Sequence, residues 1–389
     1  MALFLEQNGH DVHIVTTPPY YPYWQIGPGY HGWQYCKEAW QGVEIYRCPL
    51  WVPKQLSGVK RLLHLFSFAL SSIPVLCGQI FWHADVVMSI APSLMNAPLA
   101  LSTAKLSGSK TWLHIQDFEL DAASQLGILP TNGGLKNTAV RIERRLLQRF
   151  DRVSTISNRM LERLHQKGVS PVKTVLFPNW VDPEVIFPLA DPQKKLREKW
   201  GIPAERIVVL YSGNMGKKQG LEVVIDAARL LRAEPNIHFV LCGDGVTRQS
   251  LENAARDLTN IQFLPVQPLE KLNELLNCAN IHVLPQRADA ADLVMPSKLS
   301  GMLASGKAVI ALANAGTEVA EVLRNIAVVI PPEEGTALAE NILELAKNPE
   351  ERIRLGQAGL TWVKENWSKN KVLTNFCTAL ESEVKQQNE

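Results

Sequence analysis

The hydrophobic residues in the second half of the chain form short apolar runs that alternate with longer segments of helical periodicity. Each run is followed by a loop rich in glycine, proline or polar residues. Runs of this length between helical segments predict buried parallel strands in repeated βα units. The predicted strands are residues 207–211, 238–242, 261–264, 281–284 and 308–312.

The first half repeats the pattern, with predicted strands at residues 12–16, 43–47, 85–90, 110–115 and 152–156. Residues 2–7 resemble the last turns of a helix and come directly before the first of these strands. A helix that leads into a parallel strand normally follows an earlier strand. We therefore expect the first βα unit of this half to be missing from the chain.

The length of the chain predicts two domains, because 389 residues exceed what one hydrophobic core usually holds. An irregular stretch at residues 174–188 marks the predicted boundary. The predicted domains are residues 1–184 and 185–364. A C-terminal helix at about residues 365–389 is expected to pack back on the first domain.

A mostly apolar segment at residues 62–82 has two interpretations. It contains His64, three serines and Pro74, whereas a membrane-spanning helix needs about 20 predominantly apolar residues. Its polar content therefore argues against a spanning helix. We favour a helix buried in the first domain. The alternative is a helix that lies on a membrane, with Lys54, Lys60 and Arg61 at the lipid headgroups.

The amino-acid composition of the chain argues against some classes of function. Hydrophobic residues make up 46% and charged residues 20% of the chain, which is typical of a soluble globular protein. A net charge of +2 is too balanced for a protein that binds nucleic acid through bulk charge. The six cysteines form no CxxC pair. This argues against a metal site or disulfide framework and favours a reducing, cytoplasmic location.

The segment after the fourth predicted strand of the second half carries candidate anion-binding chemistry. Pro296 and Ser297 begin a predicted helix that ends at Gly306. The N–H groups at residues 296–299, together with the Lys298 ammonium, are suited to hold an anion such as a diphosphate. An ordinary capped helix in a parallel sheet explains the same residues, and both interpretations stay open here.

Glycine-rich loops follow the preceding strands. The segment SGNMGKKQG (residues 212–220) contains glycines that allow a ligand to approach the backbone closely, and Lys217 and Lys218 add positive charge. It lacks the ending of a Walker A loop. The segment GDG (243–245) and residues 266–269 follow the next two strands. All of these loops are expected at one edge of one sheet.

Acidic residues follow the strand at residues 110–115 in the first half. Gln116, Asp117 and Glu119 lie just after the carboxyl end of this strand, where open α/β sheets bind ligands. Alternatively, Asp117 only caps the following turn. The aromatic segment 16–35 could line a sugar-acceptor site, but a loop packed on the domain surface is slightly favoured.

Together, these residues resemble a known family. Two α/β domains, the linker near NWVD, and the segments SGNMGKKQG, LCGDG and MPSKLSGMLASGKAVIA in this order are similar to retaining glycosyltransferases of the GT-B fold, family 4. The segments TTPPYYPYW, LHIQDFELDAA and MPSKL resemble the colanic-acid-type exopolysaccharide group. The resemblance covers almost the whole chain. It implies two Rossmann-like domains that face each other across a cleft, with the acceptor bound by residues 1–184 and the nucleotide sugar by residues 185–364.

The resemblance also implies site residues, with departures from the family pattern. Asn214 stands where the family has arginine, and the histidine of a His-Asp pair is replaced by Gln116. The family's two glutamates correspond to Gly301 and Leu293, beside Asp292. The implied catalytic residues are Asp117, Gln116 and Asp292. The implied donor-binding residues are Gly213, Asn214, Gly216, Lys217, Lys218, Gly243, Asp244, Gly245, Val266, Met295, Pro296, Ser297 and Lys298.

The resemblance implies transfer of a sugar from a nucleotide-diphosphate sugar to a lipid-linked saccharide acceptor in exopolysaccharide synthesis, at the inner face of the membrane. Helix N-termini and lysines would stabilise the leaving diphosphate, so no metal or other cofactor is expected. No nucleic-acid partner is expected. The alternatives are a sugar-nucleotide epimerase of GT-B fold and a catalytically silent nucleotide-sugar-binding protein.

Overall fold

A computed structural model describes residues 1–21, 23–54, 58–91, 94–118, 134–190, 193–290 and 295–388. The chain divides into two compact units, each treated separately below. The first unit comprises Met1–Phe177 and Leu373–Glu389, and the second comprises Pro178–Val372.

The strands of the first unit form two sheets among the described residues. A three-stranded sheet has the order β1-β3-β2, and a four-stranded parallel sheet has the order β4-β5-β6-β7. The strands are β1 His13–Thr16, β2 Cys36–Trp40, β3 Val43–Arg47, β4 Val86–Ala91, β5 Lys110–Ile115, β6 Arg152–Thr155 and β7 Thr174–Leu176.

The second unit contains one parallel sheet of six strands in the order β10-β9-β8-β11-β12-β13. The strands are β8 Ile207–Ser212, β9 Ile237–Cys242, β10 Ile261–Leu264, β11 Ile281–Leu284, β12 Ala308–Leu312 and β13 Val328–Ile330. This is the doubly wound arrangement in which the strand order reverses between β8 and β11. Loops at the carboxyl ends of such a pair form the usual ligand crevice.

Both units contain helices. In chain order they are α1 Ala2–Gln7, α2 Gly58–Gln79, α3 Ala97–Ser107, α4 Gly134–Arg149, α5 Asn158–Gln166, α6 Gln193–Lys199, α7 Glu222–Leu230, α8 Arg248–Ala254, α9 Leu272–Asn277, α10 Lys298–Ala304, α11 Glu318–Leu323, α12 Gly335–Lys347, α13 Pro349–Asn366 and α14 Lys369–Asn388. Ser157 caps α5, because its hydroxyl oxygen accepts a hydrogen bond from the N–H of Met160.

The C-terminal helix α14 contributes to the core of the first unit. Phe376 packs edge-on against Trp112 at 5.2 Å and stacks on Phe177 at 4.2 Å between ring centroids. Arg152 of β6 is paired with the buried Glu383 near the end of α14. These contacts explain why the residues from Leu373 onward group with the first unit.

Strand β2 is absent from the sequence-based prediction. It pairs antiparallel with β3 over five residue pairs from Cys36 to Trp40. The two strands are joined at Gln41 and Gly42, which both have positive φ, 50° and 90°. A two-residue connection of this kind is the usual turn of a tight hairpin. The sequence did not predict β2, because four of its five residues are exposed and the strand mixes charged and aromatic residues.

The prediction that residues 62–82 form a buried helix is wrong. In α2 only His64, Ala69 and Ser72 are buried, whereas Leu62 and Leu70 keep 55% and 51% of their surface exposed. By length and composition alone, Gly58–Trp82 could cross a membrane. Apolar content indicated a helix that needs a partner, but it could not indicate which side of the helix contacts the protein.

A buried arginine joins α6 to the sheet of the second unit. The guanidinium of Arg197 donates to the carbonyl oxygens of Cys278, Ala204 and Arg206 and to Oδ1 of Asn280, over 2.6–3.2 Å. The side chain is almost completely buried. It therefore satisfies several acceptors that would otherwise be buried without a donor.

Replacing Arg197 by Met should lower the free energy of unfolding of the second unit by about 2 kcal/mol or more, because several buried acceptors lose their donor. Urea denaturation followed by circular dichroism measures the change. Arg232→Met, at an exposed position of the same unit, is the control and should change the midpoint little. Equal midpoints for the two variants would contradict the structural role of Arg197.

Candidate functional site

The candidate site lies at the carboxyl end of β8, where two glycine-containing loops cross. Gly213 donates its N–H to the carbonyl oxygen of Cys242 at 2.9 Å, and Met215 donates to that of Asp244 at 2.7 Å. A Cβ atom at residue 243 would overlap the carbonyl oxygen of Gly213, and one at residue 245 would overlap that of Met215. Only glycine at 243 and 245 allows this backbone contact.

Gly243 and Gly245, which the family resemblance places among the donor-binding residues, are required here for the contact between the two loops, because the neighbouring loop occupies the space of a Cβ at either position. Gly213 differs, because a Cβ there would meet no backbone atom and would lie 3.7 Å from Cδ of Lys298. The loop after β8 and the start of α10 are therefore side by side, as the sequence predicts.

Lys298 is the central cation of this site. Its Nζ lies 4.1 Å from the centroid of the Tyr211 ring, a cation–π contact. Lys298 as a residue keeps some exposed surface, but its ammonium lies in a recess, and this desolvation lowers the pKa of Lys298 to about 7. Within the described ranges no carboxylate forms an ion pair with it. The arrangement is suited to an anionic ligand.

Tyr211 is a site residue that the sequence analysis missed. Burial raises the pKa of its phenol, so the hydroxyl stays neutral and can donate. It donates to the carbonyl oxygen of Asn214 at 2.5 Å. Tyr211 thus supports Lys298 with its ring and fixes the following loop with its hydroxyl. Its position at the end of β8 made it look like a core residue, and no local pattern marks it otherwise.

Three further cationic side chains lie in or beside the loop after β8. Lys217 and Lys218 are exposed in the short 3-10 turn Lys217–Gln219. Arg287, which the sequence analysis did not select, donates its backbone N–H to the carbonyl oxygen of Lys218 at 3.2 Å. Nε of its guanidinium forms ion pairs with Oδ1 of Asp289 at 3.3 Å and with Oε1 of Glu333 at 3.9 Å. Its signal in the sequence was its place just past a buried strand.

The start of α10 differs from the prediction in detail. Ser297 precedes the helix but its side chain makes no capping hydrogen bond. Pro296 has no N–H group, and the N–H of Leu299 donates to the carbonyl oxygen of Pro296 at 3.0 Å. Of the predicted N–H donors, those of Ser297 and Lys298 form no hydrogen bond to another residue that the structure describes. The helix has only seven residues, so the Lys298 side chain is the stronger part of the site.

The remaining predicted donor-binding residues occupy different environments. Met295 is buried against α10 in an apolar cluster, whereas Val266 is largely exposed. Asp244 accepts the N–H of Gly245 at 2.8 Å with its own carboxylate. Gly216 donates its N–H to the Gln219 side chain at 3.1 Å. Asp292 lies outside the described residues.

In the first unit, Gln116 and Asp117 follow β5 as predicted. The amide nitrogen of Gln116 lies 2.7 Å from Nε2 of His114, whose Nδ1 is 2.9 Å from the hydroxyl of Ser154. Burial lowers the pKa of His114 to about 4, so its ring is neutral. His114 was not predicted and orients Gln116 from inside β5. Glu119 lies outside the described residues.

Comparison with known proteins identifies the class of the chain. Residues 1–180 match the family described as Glycosyl transferase 4-like domain, and residues 192–362 match Glycosyl transferases group 1. The chain therefore belongs to this glycosyltransferase family and is an enzyme of GT-B fold. The resemblance stated from the sequence is confirmed.

A curated relative and two solved structures give the particular similarities. The Escherichia coli (strain K12) protein described as a colanic acid biosynthesis glycosyl transferase, WcaI, is 41% identical over 94% of this chain and 92% of its own. Sucrose-phosphate synthase of Thermosynechococcus elongatus matches with a TM-score of 0.77 and 16% identity, over 99% of this chain and 92% of that one. Anabaena HepE, solved with UDP and glucose, matches with a TM-score of 0.66 and 16% identity, over 87% and 86%. These two likenesses show the fold alone.

The affinity for a nucleoside diphosphate should fall as pH rises through about 7. The pKa of Lys298 is lowered from its usual value of 10.5 to about 7, so the ammonium is present below that pH and is lost above it. Affinity should weaken roughly tenfold between about pH 6.5 and about pH 8.5, with proton uptake on binding at the higher pH. Isothermal titration calorimetry in two buffers of different ionisation enthalpy measures both.

Two variants separate this effect from general pH sensitivity. Lys298→Met should bind more weakly and remove most of the pH dependence above pH 7. Lys347→Met, at an exposed position at the end of α12, should keep both affinity and pH dependence. A pH profile unchanged by Lys298→Met would contradict the assignment.

Proposed function

We propose that the protein is a retaining glycosyltransferase that moves a sugar from a nucleotide-diphosphate sugar to a lipid-linked saccharide in exopolysaccharide synthesis. The observation that carries the donor assignment is the Lys298 ammonium, held on the Tyr211 ring beside Gly213. Support for the polysaccharide comes from the Escherichia coli relative, whose description names colanic acid biosynthesis. The proposed location is cytoplasmic, at the inner face of the membrane.

The second unit binds the donor in this proposal. Lys298 pairs with the diphosphate, because its ammonium lies beside a neutral aromatic ring and forms no ion pair with any carboxylate of the described residues. Lys217, Lys218 and Arg287 add positive charge at the same edge of the sheet. Asn214 follows Gly213 in the loop fixed by Tyr211. Asp292 orients the sugar.

The chemical step needs stabilisation of the leaving group. The acceptor hydroxyl oxygen forms a bond to the anomeric carbon on the face that the diphosphate leaves. The sugar–phosphate bond breaks, its electron pair stays on the diphosphate, and the hydroxyl proton passes to a diphosphate oxygen. Fixed ammonium and guanidinium groups stabilise this developing charge by preorganised electrostatics. The proposal therefore requires no metal and no other cofactor.

The first unit binds the acceptor in this proposal. Asp117 lies just past the carboxyl end of β5 and positions the acceptor hydroxyl. Gln116 stands where the family resemblance expects histidine, and its amide cannot take up a proton near neutral pH. Proton transfer to the departing diphosphate makes a histidine at this position unnecessary.

Acceptor-dependent release of nucleoside diphosphate tests the proposed function. Donors carrying UDP, GDP and dTDP are offered with and without lipid-linked saccharides extracted from a polysaccharide-producing strain. Nucleoside diphosphate should accumulate only when acceptor is present, with product of retained anomeric configuration by NMR. Epimerised donor without acceptor would indicate an epimerase, and binding without turnover would indicate a silent binder.

A variant in each unit separates the two substrates in the same assay. Asp117→Asn should lower kcat by about tenfold or more and leave nucleotide affinity unchanged, because Asp117 belongs to the first unit whereas the nucleotide binds to the second in this proposal. Lys298→Met should weaken nucleotide binding. Loss of nucleotide binding in Asp117→Asn would contradict the division of roles.

A further inference from the structure

One side of α2 exposes an unusually apolar surface. We call it the α2 face and define it by exposed side chains that recur at helical spacing along α2 and the turn after it. Its members are Val59, Leu62, Leu63, Phe66, Leu70, Ile73 and Phe81. Among these, Val59 is 69% and Phe81 83% exposed. A helix of a globular domain normally turns such residues towards the core.

The polar side of α2 is the side that contacts the protein. Nδ1 of His64 lies 2.7 Å from the carbonyl oxygen of Trp51, and the hydroxyl of Ser67 accepts the N–H of Trp51 at 3.1 Å. Ser71 donates its hydroxyl to the carbonyl oxygen of Pro49 at 2.6 Å. The hydroxyl of Tyr35 donates to the carbonyl oxygen of Ser71 at 2.9 Å. The helix is thus inverted, because its histidine and serine side chains are bonded inward and most of its large apolar side chains are exposed.

The charged residues of α2 and the turn after it have one sign. Lys60 and Arg61 lie at its first turn, and the sequence from Gly58 to Trp82 contains no aspartate or glutamate. Lys54, a few residues earlier, is exposed as well. Asp11 accepts a hydrogen bond from Trp82 at the other end of the α2 face, so the cations lie at the end that Lys60 and Arg61 define. An apolar helix face with cations at its first turn and no acidic residue of its own matches an anionic lipid surface.

An aromatic segment borders the same helix. The rings of Tyr20 and Trp24 lie 4.9 and 5.4 Å from the ring of His64. Tyr21 and Tyr23, between them in the chain, are 74% and 84% exposed. Tyrosine and tryptophan side chains favour the headgroup region of a bilayer, because they combine an apolar ring with a polar tip.

The geometry points to a membrane-docking surface: the α2 face lies in the plane of an anionic membrane and holds the first unit there. A spanning arrangement would break the hydrogen bonds from His64, Ser67 and Ser71 to the segment at Pro49 and Trp51. The inference rests on the proposed function in one respect, since a lipid-linked acceptor requires the enzyme at the membrane.

Vesicle flotation with the full chain tests this surface. The protein should float with vesicles of phosphatidylethanolamine and phosphatidylglycerol and bind phosphatidylcholine vesicles about tenfold less well. Leu62→Ser/Leu70→Ser should reduce binding to the anionic vesicles by about tenfold or more, because it removes exposed apolar surface. Arg61→Gln should reduce it about fivefold and weaken its salt dependence.

The matched control is Leu230→Ser/Ile353→Ser, which changes exposed apolar residues of the second unit, Leu230 being 56% exposed. It should bind vesicles like the unmodified protein, within about twofold. Equal binding by the two double variants would overturn the proposal. So would an unmodified protein that ignores anionic vesicles, or one that is a dimer in solution and becomes monomeric with Leu62→Ser/Leu70→Ser, since a second copy would then cover the α2 face.

The vesicle experiment contains neither donor nor acceptor, so it stands apart from the test of glycosyl transfer. Nucleotide affinity measured by calorimetry should be the same in all variants. Because the nucleotide binds to the second unit, an unchanged circular dichroism spectrum and unfolding midpoint show that the first unit is folded as well. Vesicle binding without glycosyl transfer would refute only the proposed function. Transfer to a detergent-solubilised acceptor without vesicle binding would refute only the membrane-docking surface.

Discussion

The backbone contact between Gly213 and Gly243 is the constraint on which the candidate site of the second unit depends. The carbonyl oxygen of Gly213 occupies the space of a Cβ at residue 243, and the loops are joined further by the hydrogen bond from Met215 to Asp244. This crossing fixes the loop after β8 at the point where the strand order reverses. Because the loop is fixed, Tyr211 and Lys298 are held together before any ligand arrives, and preorganised charge of this kind is what stabilises a leaving diphosphate.

The second unit could be predicted well because its signals are local. Buried parallel strands read as continuous apolar runs, and β11 and β12 occur where those runs occur. Lys298 could be selected because it follows a proline near a helix start. Tyr211 could not, since a tyrosine at the end of a buried strand looks like a core residue until its contact with Lys298 is known. The contact of Gly243 with Gly213 is equally non-local.

The first unit was predicted less well for a physical reason. Strand β2 is mostly exposed, so its sequence lacks the alternation that a half-buried strand shows. The inverted polarity of α2 depends on partners at Pro49 and Trp51, which helical periodicity does not reveal. The prediction that α2 is buried was wrong for the following reason. Apolar residues indicate only that a helix needs an apolar environment, and either a protein core or a lipid surface can provide it.

Whether the Lys298 ammonium binds the diphosphate can be tested most directly by an NMR titration of Lys298, observed through its side-chain nitrogen in labelled protein and assigned with Lys298→Met. We expect a pKa near 7 in the free protein and a rise of about two units or more on adding a nucleoside diphosphate, because the bound anion stabilises the ammonium. A Lys298 pKa that does not respond to the nucleotide would contradict the claim that this ammonium binds the diphosphate of the donor.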